Sequence, residues 1–230
     1  MMRFADKRLT VITGCYGCGK TELSINVARH MKSIEKCQTV LVDMDIVNPY
    51  LKSSERKMLL LNEGIRVIAS PHAISTVDSP ALSAQIQGVF DKQDEHVIMD
   101  VGGEDSGAVV LGCYAGMFAR ERSNTRCLFV INCMRPLTRT KGDILRLMQR
   151  IVHRSRLDLT GLVNNTNLSA ETQTDMLLWG QDVVEDVSRE SGVPQVLITG
   201  QKEVLANMPE KYHSLCFPIN RVMRLEWMEK

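Results

Sequence analysis

The stretch V-I-T-G-C-Y-G-C-G-K-T-E, Val11 to Glu22, carries two motifs over the same residues. Gly14-Cys15-Tyr16-Gly17-Cys18-Gly19-Lys20-Thr21 matches G-x-x-x-x-G-K-[ST], the pattern of a loop that wraps phosphate groups. Cys15-Tyr16-Gly17-Cys18 is also a C-x-x-C, a spacing that serves redox chemistry or a metal. Context separates the two. An apolar run of strand length, Leu9 to Thr13, leads directly into Gly14, and from Lys20 to Lys32 the residues Leu23, Val27 and Met31 recur at four-residue spacing, as on one face of a helix. A glycine loop between a strand and a helix is where phosphate binding needs it. The glycines turn backbone N–H groups inward, the helix N-terminus adds partial positive charge, Lys20 reaches the β- and γ-phosphates, and the Thr21 hydroxyl ligates Mg²⁺. A metal reading of the cysteines lacks support, because no second C-x-x-C or H-x₃₋₅-H completes a four-ligand set.

The rest of the chain repeats the strand-then-helix rhythm. Strands are expected at Leu9 to Thr13, Thr39 to Asp43, Ile65 to Ala69, His96 to Asp100, Arg126 to Asn132, Leu159 to Asn164 and Gln195 to Thr199. Most are nearly continuously apolar, as strands buried on both faces must be. Helices are expected at Lys20 to Lys32, Pro49 to Leu61, Pro80 to Phe90, Gly107 to Arg120, Thr140 to Arg154 and Thr172 to Ser191. Ser79 with Pro80 reads as a cap followed by the first helical residue. Leu215 to Lys230, with Met223, Leu225 and Trp227, suits either a closing helix or a strand that covers the sheet edge. The pattern predicts an α/β protein of three layers, α/β/α, with a mostly parallel central sheet of about seven strands. Residues 1–230 are read as a single nucleotide-binding domain, since 230 residues bury one continuous core and no linker interrupts them.

Composition narrows the setting. Hydrophobic residues make up 44 % and charged residues 24 %, with 28 basic against 27 acidic side chains, so a nucleic-acid surface is not expected. No apolar run approaches the roughly 18 residues that cross a bilayer. The N-terminus, Met1 to Arg8, has no apolar secretory core, and the seven cysteines are an odd number spread along the chain; free thiols in a reducing cytoplasm are expected. A thiol at a helix N-terminus beside Lys20 is expected to have a lowered pKa, which would make Cys15 or Cys18 sensitive to oxidation.

In open parallel sheets, ligands bind at the carboxyl ends of the strands. Asp100 closes His96-Val97-Ile98-Met99-Asp100 and, with Gly103 in D-x-x-G spacing, is a candidate to hold Mg²⁺ through water and to follow a γ-phosphate. Asp43 and Asp45 end the second strand in Val42-Asp43-Met44-Asp45, a pairing that is unfavourable unless Mg²⁺, solvent or an attacking water uses it. Asn164-Asn165-Thr166-Asn167 closes a late strand, where guanine-binding relatives carry N/T-K-x-D; with no Asp or Lys there, amide side chains favour adenine, and Asn164 and Asn165 are the candidates. Thr199-Gly200 could close over the base. His72, beyond the third strand, is either a ligand contact or a solvated loop histidine.

With these residues placed, the chain resembles the SIMIBI class of phosphate-loop proteins, and within it the MinD/ParA/CobQ-type nucleotide-binding domains. The likeness runs through Thr13 to Glu22, V-D-M-D-I at Val42 to Ile46, D-V-G-G at Asp100 to Gly103 and N-N-T-N-L at Asn164 to Leu168. The resemblance implies a Mg-ATPase with ATP and Mg²⁺ as cofactors, its hydrolysis coupled to a protein partner in partitioning, regulation or metallocentre maturation. By it, Lys20, Asp45 and Asp43 are the catalytic residues, Asp45 orienting the attacking water and Asp43 supporting the Mg²⁺ and switch region. Thr21, Asp43 and Asp100 serve the metal, and Gly14, Cys15, Tyr16, Gly17, Cys18, Gly19, Lys20, Thr21, Glu22, Gly103, Asn164 and Asn165 hold nucleotide. Many members carry a lysine directly after the first glycine, reaching across a sandwich dimer; here that position is Cys15, and a homodimer would lack the usual trans-lysine. Arg135 in Asn132-Cys133-Met134-Arg135-Pro136 is either its substitute or an ordinary surface residue. The alternative function is an ATP-dependent small-molecule kinase or ligase, as in dethiobiotin synthetase.

Overall fold

A computed structural model of the chain describes residues 2–45, 54–69 and 80–222. His72, Asp78, Ser79, the expected helix start at Pro49, and Met223, Leu225 and Trp227 lie outside them. Eight strands, β1 (Leu9–Gly14), β2 (Thr39–Met44), β3 (Arg66–Ala69), β4 (His96–Val101), β5 (Thr125–Ile131), β6 (Gly161–Asn164), β7 (Gln195–Gly200) and β8 (Cys216–Pro218), form one sheet in the order β3-β2-β4-β1-β5-β6-β7-β8. Every pairing is parallel. The helices are α1 (Lys20–Ser33), α2 (Ser54–Asn62), α3 (Pro80–Asp91), α4 (Glu104–Cys113), α5 (Ala115–Arg120), α6 (Lys141–Ser155), α7 (Thr174–Ser191) and the short α8 (Lys202–Leu205).

The apolar strands are continuous because both faces are covered. On one face Leu9, Val11, Val40, Val42, Val97 and Met99 pack with Ile86, Val89 and Phe90 of α3, Leu111 of α4 and Phe118 of α5. On the other, Ile12, Leu41 and Ile98 meet Leu23, Val27 and Met31 of α1, the residues whose four-residue spacing marked that helix. Each such side chain contributes about 1.5–3 kcal/mol when fully buried. Three layers result, as the sequence pattern requires.

Two expectations change. The sheet has eight strands rather than about seven: Cys216–Pro218 pairs with Ile198–Gly200 of β7 and extends the edge, while Met223, Leu225 and Trp227, on which the helix-or-strand reading rested, lie outside the described residues. A three-residue strand leaves no periodicity to recognise. The helix expected over Gly107 to Arg120 is two helices, broken at Tyr114, whose backbone leaves helical geometry (φ −103°, ψ 9°). That break lets Tyr114 stack on Phe90 and Phe118 meet the same ring edge-on, with centroids 6.5 Å and 5.1 Å away.

The order of strands positions the functional edge. From β1 the chain leaves through α1 toward β2 on one side, and from β5 it leaves through α6 toward β6 on the other. The connections diverge between β1 and β5, the switch point at which open parallel sheets hold ligands.

α4 reaches this edge from Gly103 and packs closely on α6. A Cβ at Gly112 would stand 2.6 Å from the Arg154 carbonyl oxygen, whereas one at Gly88 in α3 meets nothing within 4 Å. Alanine in an open helical position stabilises by about 0.5–1 kcal/mol, and an extra methyl in tight packing destabilises by about 1–3 kcal/mol. Chemical denaturation should therefore give opposite signs, Gly88→Ala raising stability and Gly112→Ala lowering it.

Candidate functional site

The loop between β1 and α1 depends on three glycines for distinct reasons. Gly17 (φ +71°) and Gly19 (φ +91°) adopt left-handed backbone that L side chains rarely take. Gly14 passes so close to β5 that a Cβ would lie 2.5 Å from the Val130 carbonyl oxygen. Gly19 is the N-cap of α1 and supplies no side-chain cap, so the helix's first N–H groups remain available to an anion. Lys20, 7 % exposed, folds back and donates from Nζ to the Cys15 carbonyl at 2.8 Å. Its ammonium thus lies over the loop. Tyr16 projects from the tip, 66 % exposed.

The carboxylates arrive from the neighbouring strands. Parallel pairing sets Asp43 of β2 beside Asp100 of β4, and Asp100 beside Ile12 of β1. Asp100 is buried and accepts from Ser24 Oγ at 3.1 Å; the Thr21 hydroxyl also bonds it. Desolvation pushes its pKa up to about 6, against the opposing pull of Thr21, Lys20 and Ser24, and nearby Asp45 adds to the rise. Asp43 is buried and accepts the Asp45 backbone N–H at 3.0 Å, which shapes the turn leaving β2. Asp45 lies by Gly102, where a Cβ would come within 3.2 Å of its Oδ1.

Gly103, the N-cap of α4, touches the phosphate loop itself: a Cβ there would be 2.8 Å from the Tyr16 nitrogen. Backbone meets backbone at this point, which a side chain would prevent. The D-x-x-G element and the loop tip therefore move together or must separate.

The asparagines serve the scaffold. Asn164 is fully buried, donates to the Leu177 carbonyl (3.2 Å) and Gln181 Oε1 (3.0 Å), and accepts the Thr166 N–H (3.1 Å). Asn165 donates to the Cys18 carbonyl (2.8 Å) and accepts from the Thr199 hydroxyl (2.7 Å), tying the phosphate loop to β7. Thr199 thus acts through Asn165. The Glu22 carboxylate accepts the Val222 N–H and so reaches the C-terminal segment, and Asn26, one helical turn on, pairs with Asn220 in both directions at 2.8 and 2.9 Å.

The expectation of a lowered thiol pKa is overturned for Cys18. Cys15 and Cys18 are both fully buried, and desolvation holds the Cys18 pKa well above the ordinary thiol value despite Lys20. Burial outweighs the cation because a thiolate at this position would lose all its water, and the contact with the Cys15 side chain adds to the rise. Cys15 points inward, its Sγ 3.5 Å from Thr138 Oγ1. Among the described residues no group of three or more His, Cys, Asp or Glu side chains is disposed to hold a metal on its own.

Sequence reading missed Ser24, Asn132 and Thr138. Ser24 was accessible, since it follows Lys20 by four residues and so faces the same way. Asn132 joins the loops after β5 and β6, accepting from Met134 and Asn167 N–H groups and donating to the Asn167 carbonyl; no local signal marks such a role.

The donor set fits Mg²⁺ bound together with a polyphosphate. Thr21, Ser24 and Asp100 present hard oxygens, and the loop glycines let its backbone pack closely on Val130, Arg135 and Asn165 beside the start of α1.

No protein-family profile matches the sequence, and no curated protein matches it. Solved structures do. The cell division protein FtsY of Thermotoga maritima gives a TM-score of 0.56 at 16 % identity, over 84 % of this chain and 61 % of that one. The signal recognition particle receptor FtsY of Elizabethkingia anophelis gives 0.55 at 17 %, over 85 % of this chain and 59 % of its own. FlhF, solved in complex with GTP and Mg²⁺, gives 0.52 at 13 %, over 86 % and 67 %. This chain spans less than two thirds of either FtsY chain. At these identities the likeness is one of fold alone, an all-parallel α/β sheet covered by helices, and it does not single out the MinD/ParA/CobQ branch. Among the described residues no helix is long and apolar enough to cross a membrane.

Asp100 yields a pH test. Its pKa in the folded protein, about 6, exceeds the ordinary 3.8. A carboxyl raised on folding stabilises the fold when protonated; the contribution is fully present below about pH 4 and is lost as the pH rises through about 6. Without nucleotide or Mg²⁺, Asp100→Asn should match the wild type near pH 4 and exceed it by about 2–3 kcal/mol near pH 7.5. Urea denaturation at both pH values measures the difference.

Proposed function

We propose that this protein binds Mg-ATP at the β1–α1 loop, hydrolyses it, and transmits the change to a protein partner. The observation that carries the reading is the convergence of Lys20, Thr21 and Asp100 on a three-glycine loop that Gly103 touches from behind. Loop N–H groups and the start of α1 hold the β-phosphate, and Lys20 exchanges the Cys15 carbonyl for β- and γ-phosphate oxygens. Thr21 and Asp100 hold Mg²⁺, which neutralises phosphate charge and fixes the phosphates' orientation.

Asp45 orients the water. As the water oxygen bonds to the γ-phosphorus, the γ-phosphorus–oxygen bond to the β-phosphate breaks, and its electron pair stays on the ADP oxygen. The water's proton leaves with inorganic phosphate. Loss of the γ-phosphate frees Gly103 to shift against Tyr16, and α4 passes the shift to α6 through the Gly112 contact and the Asp105–Arg154 ion pair at 3.4 Å. This is the route by which a partner could read the nucleotide.

The base preference rests on chemistry. FlhF was solved with GTP, but the residues after β6 here, Asn164-Asn165-Thr166-Asn167, present no carboxylate for the guanine N1 and N2 hydrogens. Asn165, buried and held between the Cys18 carbonyl and the Thr199 hydroxyl, positions the loop that would flank the base. Asn164, at the end of β6, anchors that loop to Leu177 and Gln181 of α7.

Calorimetry with ATPγS, GTPγS and Mg²⁺, together with phosphate release, tests the reading. ATPγS should bind at least about tenfold more tightly than GTPγS. Lys20→Ala should weaken binding at least about 100-fold, the scale of a lost charge-assisted contact. Asp45→Asn should keep binding and lose hydrolysis. Undiminished binding by Lys20→Ala would remove the proposal, and ADP formation only with an added metabolite would transfer the site to a kinase or ligase.

A further inference from the structure

The loop after β5 is joined to the phosphate loop at two points. Thr138 lies against Cys15, its hydroxyl donating to the Asn132 carbonyl at 2.7 Å. Arg135 donates from Nε to the Gly17 carbonyl at 2.9 Å. The arginine backbone is held on both sides: its N–H bonds the Asn132 carbonyl at 3.0 Å, its carbonyl accepts the Thr138 N–H at 3.1 Å, and Pro136 opens a short 3₁₀ turn directly after it. The guanidinium lies along the Gly17 turn, where a Cβ would be 3.5–4.0 Å from Nε, Cζ and Cδ. These contacts fall at the β1–β5 divergence, where the fold places its ligand.

Chemistry makes the placement informative. A guanidinium has five N–H donors, and one is used on a neutral carbonyl. Among the described residues no carboxylate forms an ion pair with Arg135. From Gly14 to Thr21 the only cation is Lys20, because position 15 is a buried cysteine. Arg135 is exposed, and its guanidinium lies against the Gly17 turn of the loop.

We propose that Arg135 is a catalytic cation acting in cis on the terminal phosphates, an inference that rests on the triphosphate hydrolysis described above. When the γ-phosphorus–oxygen bond breaks, its electron pair collects on the β-phosphate oxygen. The guanidinium extends from Gly17 to that oxygen and to the γ-phosphoryl group, stabilising charge that is larger in the transition state than in bound ATP. Ground-state binding is left to Lys20 and the loop. Because Arg135 belongs to the same chain as the loop it touches, no second copy is needed to supply the charge.

The test compares wild type, Arg135→Ala, Arg135→Lys, Arg135→Gln and Lys20→Ala. ATPγS binding by wild type and its loss in Lys20→Ala establish the underlying site; absence of wild-type binding would defeat both readings. With that established, the alanine and glutamine variants should bind ATPγS within about threefold of wild type while kcat falls at least about 100-fold. Lysine, which retains the charge without the fork, should recover part of the rate. Wild type should form a stable Mg-ADP–aluminium fluoride complex, and Arg135→Ala should not, although both bind ADP. A merely structural arginine would leave that complex intact. Unchanged kcat in Arg135→Ala would overturn the proposal. Rescue of Arg135→Ala by mixing with Lys20→Ala would overturn the cis assignment, since the second protein could then donate its arginine.

Discussion

A loop that turns its N–H groups inward around an anion must turn carbonyls outward, and buried carbonyls require donors. This constraint organises the whole carboxyl edge of the sheet. The Cys15 carbonyl is met by Lys20, Gly17 by Arg135, Cys18 by Asn165 and Gly19 by the Leu23 N–H at the start of α1. The four donors come from three places: the loop's own helix, the loop after β5 and the loop after β6. Asn165 carries the linkage on to Thr199 of β7, so four neighbouring strands, β1, β5, β6 and β7, contribute to holding one short segment. The same contacts that stabilise the loop therefore fix the positions of the groups that face its ligand.

Electrostatics follows from this arrangement. Asp100 is kept in a dry position by the packing of β1, β2 and β4, and its raised pKa records how unfavourable the naked carboxylate is there. Thr21 and Ser24 lessen the penalty but do not abolish it. A divalent cation with its waters, as in the proposed function, would lower that cost. The exposed acids and bases elsewhere, such as Arg122 with Asp158 or Arg189 with Asp186, form surface pairs of small energetic weight.

Much of the fold was legible because parallel sheets impose a repeated pattern. The seven expected strands appear within a residue or two of their expected ends, and α1 carries its apolar face where the four-residue spacing placed it. β8 escaped because three residues at a sheet edge carry no period. The break at Tyr114 escaped because it answers to Phe90, a ring brought near only by folding. The cysteines show the same limit in chemical form. A thiol beside a lysine at a helix start suggests reactivity, yet the packing of Cys18 against the core reverses the sign of its pKa shift.

By itself the sequence determined the strand-loop-helix unit around Gly14 to Thr21, the class of sheet it belongs to, and the acidic strand ends Asp43 and Asp100. These depend on residue type, spacing and chain order, which are local properties. Only the tertiary structure decided which way Cys15 faces, that Asn164 serves α7 while Asn165 holds the phosphate loop, and that Arg135 rests on Gly17 from 118 residues away. Those outcomes are set by how outward carbonyls and buried amides find partners across the sheet, and a side chain's nearest partner in space leaves no trace in its neighbours along the chain.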